Sequence, residues 1–345
     1  VTTMMREEIL EQPAAIARTV AALRPRTDDV RRLAVGRRQV LFAARGSSDN
    51  AATYGRYLTE IVAGRAAAAL APSVATAYRR RVDLGHALVV CLSQSGETAE
   101  LVETLAWART CGAATVAVTN VGDSALARGA DLALVTAAGP ERAIPATKTF
   151  TAQLVAMALL ADALAPTPGA VRGIERVPDA VAELVRGRSG IERAVDVLLG
   201  RPRTLVTGRG LGYAVAAELA LKLEETCLRP VPGLSYADLR HGPIAIVDDR
   251  VAAIVVAPRD GPVLAGLTGL VPELRSRGAA VVGIGLAAGV DAHVAGPDLP
   301  EILAPIGLVA AGQLVVEGLA RGLGLDPDAP RGLRKVTQTD PEEAG

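Results

Sequence analysis

A duplicated α/β protein with two parallel sheets is what this sequence predicts, on three observations. Short apolar runs end in glycine turns and lead into helical patterns. The runs recur at an offset of about 165 residues, too long a period for a solenoid. They are continuously apolar rather than alternating, as strands are when both sheet faces are covered.

Met4 to Gln12 (MMREEILEQ) is charged and predicts a short amphipathic helix rather than a signal core. Val40 to Ala44 predicts a strand, with Arg45, Gly46, Ser47 and Ser48 as its turn and a helix from Asp49 to Val62. Thr204 to Thr207 repeats this, with Gly208, Arg209 and Gly210 as the turn and a helix from Tyr213 to Cys227. His86–Leu92 mirrors Val251–Ala257, and Gly112–Thr119 mirrors Gly278–Gly285. Helices over Lys148–Leu164 and Glu301–Leu323 close the two halves, and the Pro/Gly-rich stretch Pro166 to Pro178 reads as a linker. Right-handed crossovers then give two doubly wound sheets with helices on both faces. The expected division is an N-terminal helical segment (1–27), a first domain (28–165), a linker (166–180), a second domain (181–325) and an extended tail (326–345).

Composition narrows the function. Lys+Arg and Asp+Glu are both 37 of 345 residues, and aromatics are 2%. No basic face and no stacking platform for bases is expected, which argues against nucleic acid. The longest apolar stretch, Leu154 to Ala165, is broken by Asp162 and is too short for a span of ~20 residues, so no membrane partner is expected. Cys91, Cys111 and Cys227 lack metal spacing and fit buried thiols in a reducing cytoplasm. His86, His241 and His293 lie far apart, so no metal site is predicted. Among the basic residues only Lys148, Lys222 and Lys335 are lysine. A lysine kept in so arginine-rich a chain suits a role as an amine, which arginine cannot fill.

Five segments could carry chemistry. Ser93-Gln94-Ser95-Gly96-Glu97-Thr98 joins a strand end to a helix start, where free N–H groups and the helix dipole favour an anion. Three hydroxyls around one glycine suit a phosphate, and Glu97 is expected to turn away and cap the helix. No Walker lysine is present, which excludes a P-loop. Gly46-Ser47-Ser48 repeats that logic and would open on the same crevice. Glu218, Lys222 and Glu225 share one helix face, either as a solvated ion-pair stripe or as a proton-transfer face turned into a cleft, where a desolvated carboxylate would have a raised pKa. His241, before Gly242-Pro243, could be a loop-packing residue or an acid/base group. Lys335 lies in a basic tail that either frays or folds over the cleft.

The ordered series GSS, SQSGET, ATK-F, GRG--Y, E--LK-EE, RHGP and PRGL-K resembles the sugar isomerase (SIS) family, and within it the isomerase half of glucosamine-6-phosphate synthase. The resemblance runs from Glu8 to Lys335. It implies two tandem SIS domains, each a flavodoxin-like three-layer sandwich. It also implies that Ser47, Ser48, Ser93, Gln94, Ser95 and Thr98 hold a sugar phosphate, with Gly46, Ile144 and Arg334 lining the sugar site. By the same resemblance Glu225 is the base between C1 and C2, with Glu218 and Lys222 as its neighbours. His241 assists ring opening from the partner subunit of a homodimer. Lys335 can form a Schiff base with the ketose, and Lys148 is structural. No cofactor is implied.

Departures from that pattern are Arg45, Arg334, Pro145 and Ala146, and they suggest altered specificity. Arg45 or Arg334 is expected to contact the phosphate or an added acidic group. The chain begins about where the family's glutaminase domain would end. The expected reaction is therefore deamination of glucosamine 6-phosphate to fructose 6-phosphate. Alternatives are deglycation of a phosphorylated fructosamine, the isomerising subunit of a split synthase fed by a separate glutaminase, and a non-catalytic sugar-phosphate sensor.

Overall fold

The computed structural model of the chain describes residues 2–187, 190–335 and 338. Two five-stranded sheets form, both parallel throughout. The first contains β1 (Gln39–Ala43), β2 (Ala66–Ala69), β3 (Ala87–Leu92), β4 (Ala114–Thr119) and β5 (Leu132–Val135), in the order β2-β1-β3-β4-β5. The second contains β6 (Arg203–Gly208), β7 (Gly233–Ser235), β8 (Val251–Val256), β9 (Ala280–Ile284) and β10 (Ala292–Val294), in the order β10-β9-β8-β6-β7. Counted within each half, both orders are 2-1-3-4-5, so the repeat in the sequence is a repeat of topology.

The chain divides into two compact units whose segments interleave. One is built on the first sheet and takes in Ala15–Pro140, Ala152–Ile174 and the described residues from Arg334. The other is built on the second sheet and takes in the residues up to Ala14, Glu141–Thr151 and Glu175–Leu333. Each unit thus recruits short pieces from distant parts of the chain, unlike the colinear division expected from the sequence.

β3, β4 and β8 are buried at every position, as strands covered on both faces must be. In the first unit Ala87, Val89 and Cys91 pack against Leu101, Leu105 and Ala108 of the Ala99–Thr110 helix. Phe42 alternates to the opposite face, where Gly55 brings the Ser47–Ile61 helix close to it and to Met157. In the second unit Ala253 and Val255 pack against Leu267, Leu270, Val271 and Leu274 of the Leu264–Ser276 helix. All three cysteines are buried, and burial pushes the Cys91 thiol up to about 12. Among the described residues no helix is long and apolar enough to cross a membrane. No group of three or more His, Cys, Asp or Glu among them could hold a metal ion.

Two expectations need correction. The N-terminal helix is not short but runs from Met4 to Leu23, through Pro13. Burial of Ile9 and Ile16 on either side of the proline outweighs the backbone hydrogen bond it forfeits. The segment read as a linker is helical from Ile174 onward, where a short 3₁₀ turn leads into the Val177–Gly187 helix. The start of the tail is pinned: the Asp328 carboxylate accepts from the Met4 and Met5 backbone N–H groups at 2.8 and 2.7 Å. A carboxylate at a helix N-terminus satisfies free donors and opposes the positive end of the dipole.

Candidate functional site

The hydroxyl loops lie in the unit of the first sheet. β1 and β3 are hydrogen-bonded neighbours, with Ala43 opposite Cys91, so the loops that follow them leave the same sheet end side by side. This is where the strand order reverses, the place where doubly wound sheets bind ligands. Ser47 and Ser48 open the Ser47–Ile61 helix, behind Gly46 at a φ of 56°. Ser48 is buried, and its Oγ accepts from Gln153 Nε2 at 2.9 Å.

The second loop is organised by its own hydroxyls. Ser93 Oγ accepts from the Gly96 N–H at 3.1 Å and lies 3.3 Å from Thr98 Oγ1. Ser95 Oγ accepts from the Glu97 N–H at 3.2 Å. Thr98 is the N-cap of the Ala99–Thr110 helix. Gln94 presents its carbonyl to the Asn120 N–H at 3.0 Å. Glu97 does turn away, yet it caps a different helix from its own: Oε1 accepts from the Ala125 N–H at 3.0 Å. Gln338, outside the motifs read in the sequence, accepts from the Ala99 N–H at 3.0 Å through Oε1.

Gly96 is the residue on which the loop turns. Its φ is 68°, and an added Cβ would lie 2.1 Å from Ser124 Oγ and 2.9 Å from Thr119 Oγ1. Gly96→Ala is therefore expected to displace the loop and to weaken binding of a phosphorylated ligand at least tenfold, at a stability cost of about 1–3 kcal/mol. Isothermal titration beside a melting curve checks it; unchanged affinity would show that the loop does not hold the ligand.

The acid–base face lies in the other unit, on the Leu211–Cys227 helix after β6. Glu218 and Lys222 are buried, and Glu225 keeps a side-chain exposure of 21%. Lys222 Nζ donates a short hydrogen bond to Glu225 and lies 3.7 Å from Glu218 Oε1. The helix face is thus a desolvated ion cluster with one carboxylate reaching the surface, not a solvated stripe. Glu224 lies off this face and accepts from the Val231 N–H at 3.3 Å.

Burial works to lower the Lys222 pKa, but Glu218 and Glu225 outweigh it, aided by Glu141, and hold the ammonium above its ordinary value. Lys222 is thus held as an ammonium between two carboxylates.

Glu141 is a participant that sequence reasoning missed. It is buried and accepts from the Thr147 and Thr149 backbone N–H groups at 2.8 and 3.1 Å and from both threonine hydroxyls. It thereby fixes the segment holding Ile144, whose N–H donates to the Asp328 carbonyl at 2.9 Å. Lys148 is buried at the same helix start, 2.6 Å from Glu11 and 3.7 Å from Glu8. Burial raises the Glu8 carboxyl, an effect the Arg142 N–H opposes.

His241 ends the Tyr236–Arg240 helix and is exposed, its N–H shared between the carbonyls of Ala237 and Asp238 at 3.1 Å each. Lys335 is half-buried and Arg334 exposed, both in the unit of the first sheet. Arg45 does not reach toward a ligand. Its guanidinium forms a two-point pair with Glu100, at 2.9 and 2.7 Å, which withdraws one of the two arginines expected to read the substrate.

Two all-parallel 2-1-3-4-5 sheets, one with paired hydroxyl loops at its switch point, define a doubly wound α/β protein. Residues 35–163 match the SIS domain model. A solved structure from Silicibacter pomeroyi DSS-3, assigned as a phosphosugar isomerase, is 31% identical and superposes with a TM-score of 0.84 over 95% of this chain and all of that one. The chain belongs to the SIS family. The C-terminal domain of glucosamine-fructose-6-phosphate aminotransferase from Francisella tularensis is 26% identical, with a TM-score of 0.86 over 96% of this chain and 99% of that domain. The isomerizing glutamine–fructose-6-phosphate aminotransferase of Symbiobacterium thermophilum is 36% identical over 96% of this chain. The chain spans 57–58% of the length of the curated relatives it matches.

Proposed function

We propose that the chain interconverts glucosamine 6-phosphate with fructose 6-phosphate and ammonia by aldose–ketose proton transfer, with deamination as the direction that needs only water as co-reactant. The observation that carries this reading is the Glu218–Lys222–Glu225 cluster. It contains one carboxylate open to a ligand, held by an ammonium that its neighbours keep charged.

Ser47, Ser48, Ser93, Gln94, Ser95 and Thr98 receive the phosphate, supplying hydroxyl, amide and backbone donors rather than a cationic clamp. Gly46, Ile144 and Arg334 border the sugar. His241, supplied by the partner in a homodimer, transfers the proton that opens the ring. Glu225 takes the proton from C2 of the open aldose, exchanges it with solvent, and delivers a proton to C1. The C2 amine becomes a ketose imine, and water releases ammonia and leaves the C2 carbonyl. Lys222 balances the charge on Glu225 through the cycle, and Glu218 balances Lys222. Lys335 holds the ketose as a Schiff base in the reverse direction.

A second reading has a specific observation behind it. The identity to aminotransferases extends over 96% of the chain, which supports the same chemistry run toward amination with ammonia from a glutaminase.

The test is turnover in D2O. Equimolar ammonia and fructose 6-phosphate are expected from glucosamine 6-phosphate, with one deuterium at C1. Glucosamine 6-phosphate formed only from fructose 6-phosphate and ammonia would select the second reading. Products in neither direction would overturn both.

A further inference from the structure

The unit of the first sheet carries a cavity of about 410 Å³, lined by Arg79, Arg80, Arg81, Glu103, Trp107 and Thr110 among others. Three successive guanidiniums are exposed there. Among the described residues none of them has an ion-pair or side-chain hydrogen-bond partner. Several other surface arginines, among them Arg26, Arg45, Arg109, Arg142, Arg203 and Arg275, pair with carboxylates. Three like charges without counter-ions repel one another unless a polyanion joins them.

Two further observations point to a ligand. Arg79 holds a φ of 49°, one of three non-glycine residues with positive φ among the described residues, and such strained backbone concentrates at ligand clamps. Trp107 is the only tryptophan in the chain, and its indole N–H donates to the Arg80 carbonyl at 2.8 Å. That bond ties the indole to the backbone of the arginine run. A flat ring against tryptophan and phosphates on guanidiniums is the pairing such a wall offers.

We propose that this cavity binds a nucleotide, with Trp107 against the base and Arg79, Arg80 and Arg81 on a diphosphate. The cavity falls within the size range of small-molecule sites. Glu103 and Trp107 stand on the helix that begins after Thr98, the last residue of the second hydroxyl loop. Nucleotide binding is therefore placed to bias that loop.

Trp107 supplies the reporter. In the full chain, ADP is expected to change tryptophan fluorescence saturably at sub-millimolar concentration, with pyrophosphate and adenosine each at least tenfold weaker. The Arg80→Gln/Arg81→Gln variant, which removes no internal contact, is expected to melt at the wild-type temperature and to lose at least tenfold in ADP affinity. Saturating fructose 6-phosphate is expected to leave ADP binding in place. Equilibrium dialysis with labelled ADP runs alongside, so that binding silent in fluorescence is still counted. No binding by either method, wild-type affinity in the double variant, equal affinity for pyrophosphate, or displacement of ADP by fructose 6-phosphate would each overturn the assignment.

Discussion

Glu225→Gln is expected to lower turnover of glucosamine 6-phosphate by about 10²–10⁴ while ligand affinity stays within a few fold. The amide keeps the size and a hydrogen-bonding oxygen for Lys222, but it cannot accept a proton from carbon. Because Glu225 is the member of its cluster that reaches the surface, the exchange disturbs packing little. Deuterium uptake at C1 from D2O should vanish in parallel with ammonia release, since both depend on one proton transfer. A variant that turned over at the wild-type rate would reassign the base. A wild-type protein that bound sugar phosphate without turnover would instead be a sensor, and the substitution would leave its response intact.

Lys222→Met is expected to cost about 3–5 kcal/mol, because it replaces the ammonium that faces the buried Glu218 carboxylate with an apolar side chain. The pH dependence identifies the cause. The folded-state pKa of Lys222 lies above its unfolded value. Its contribution is therefore fully present below the unfolded lysine value of ~10.4 and is lost as pH rises through the higher folded value. Wild-type stability should fall on that alkaline limb, and the variant should lack this component. Adding Glu218→Gln should recover part of the loss at neutral pH, since position 218 then carries no charge. Urea titrations at neutral and alkaline pH measure all three. An unchanged alkaline limb in Lys222→Met would place the titrating group elsewhere.

The central strands were legible because burial on both sheet faces leaves a continuous apolar run. Thr115 and Thr119, the hydroxyl residues of β4, are buried with the rest of the strand. β2 was not legible: it is four alanines, mostly exposed, a composition with no strand preference. β7 and β10 are three residues each and carry no period to read. Within the candidate site, Ser93–Thr98 and Glu218–Glu225 stood out because the residues of each are close in sequence. Glu141, Gln153 and Gln338 did not, since their partners are fixed by tertiary folding: Gln153 meets Ser48 across 105 positions and Gln338 meets Ala99 across 239. Arg45 misled for the same reason, as its role was set by Glu100, 55 positions away.

The Asp328 carboxylate at the start of the first helix bears on biosynthesis. Met4 and Met5 are synthesised long before the group that satisfies their N–H donors, which is made 324 and 323 residues later. Other partners of this helix arrive late too: Glu317 receives Arg6 and Thr3, and Gln313 receives Gln12. At cellular elongation rates the interval is on the order of tens of seconds. Through that time Ile9 and Ile16, buried in the finished protein, lack their final surroundings. The Met4–Leu23 helix is thus completed long after it is made, and a nascent chain stalled before residue 313 would present it to chaperones with its apolar side uncovered.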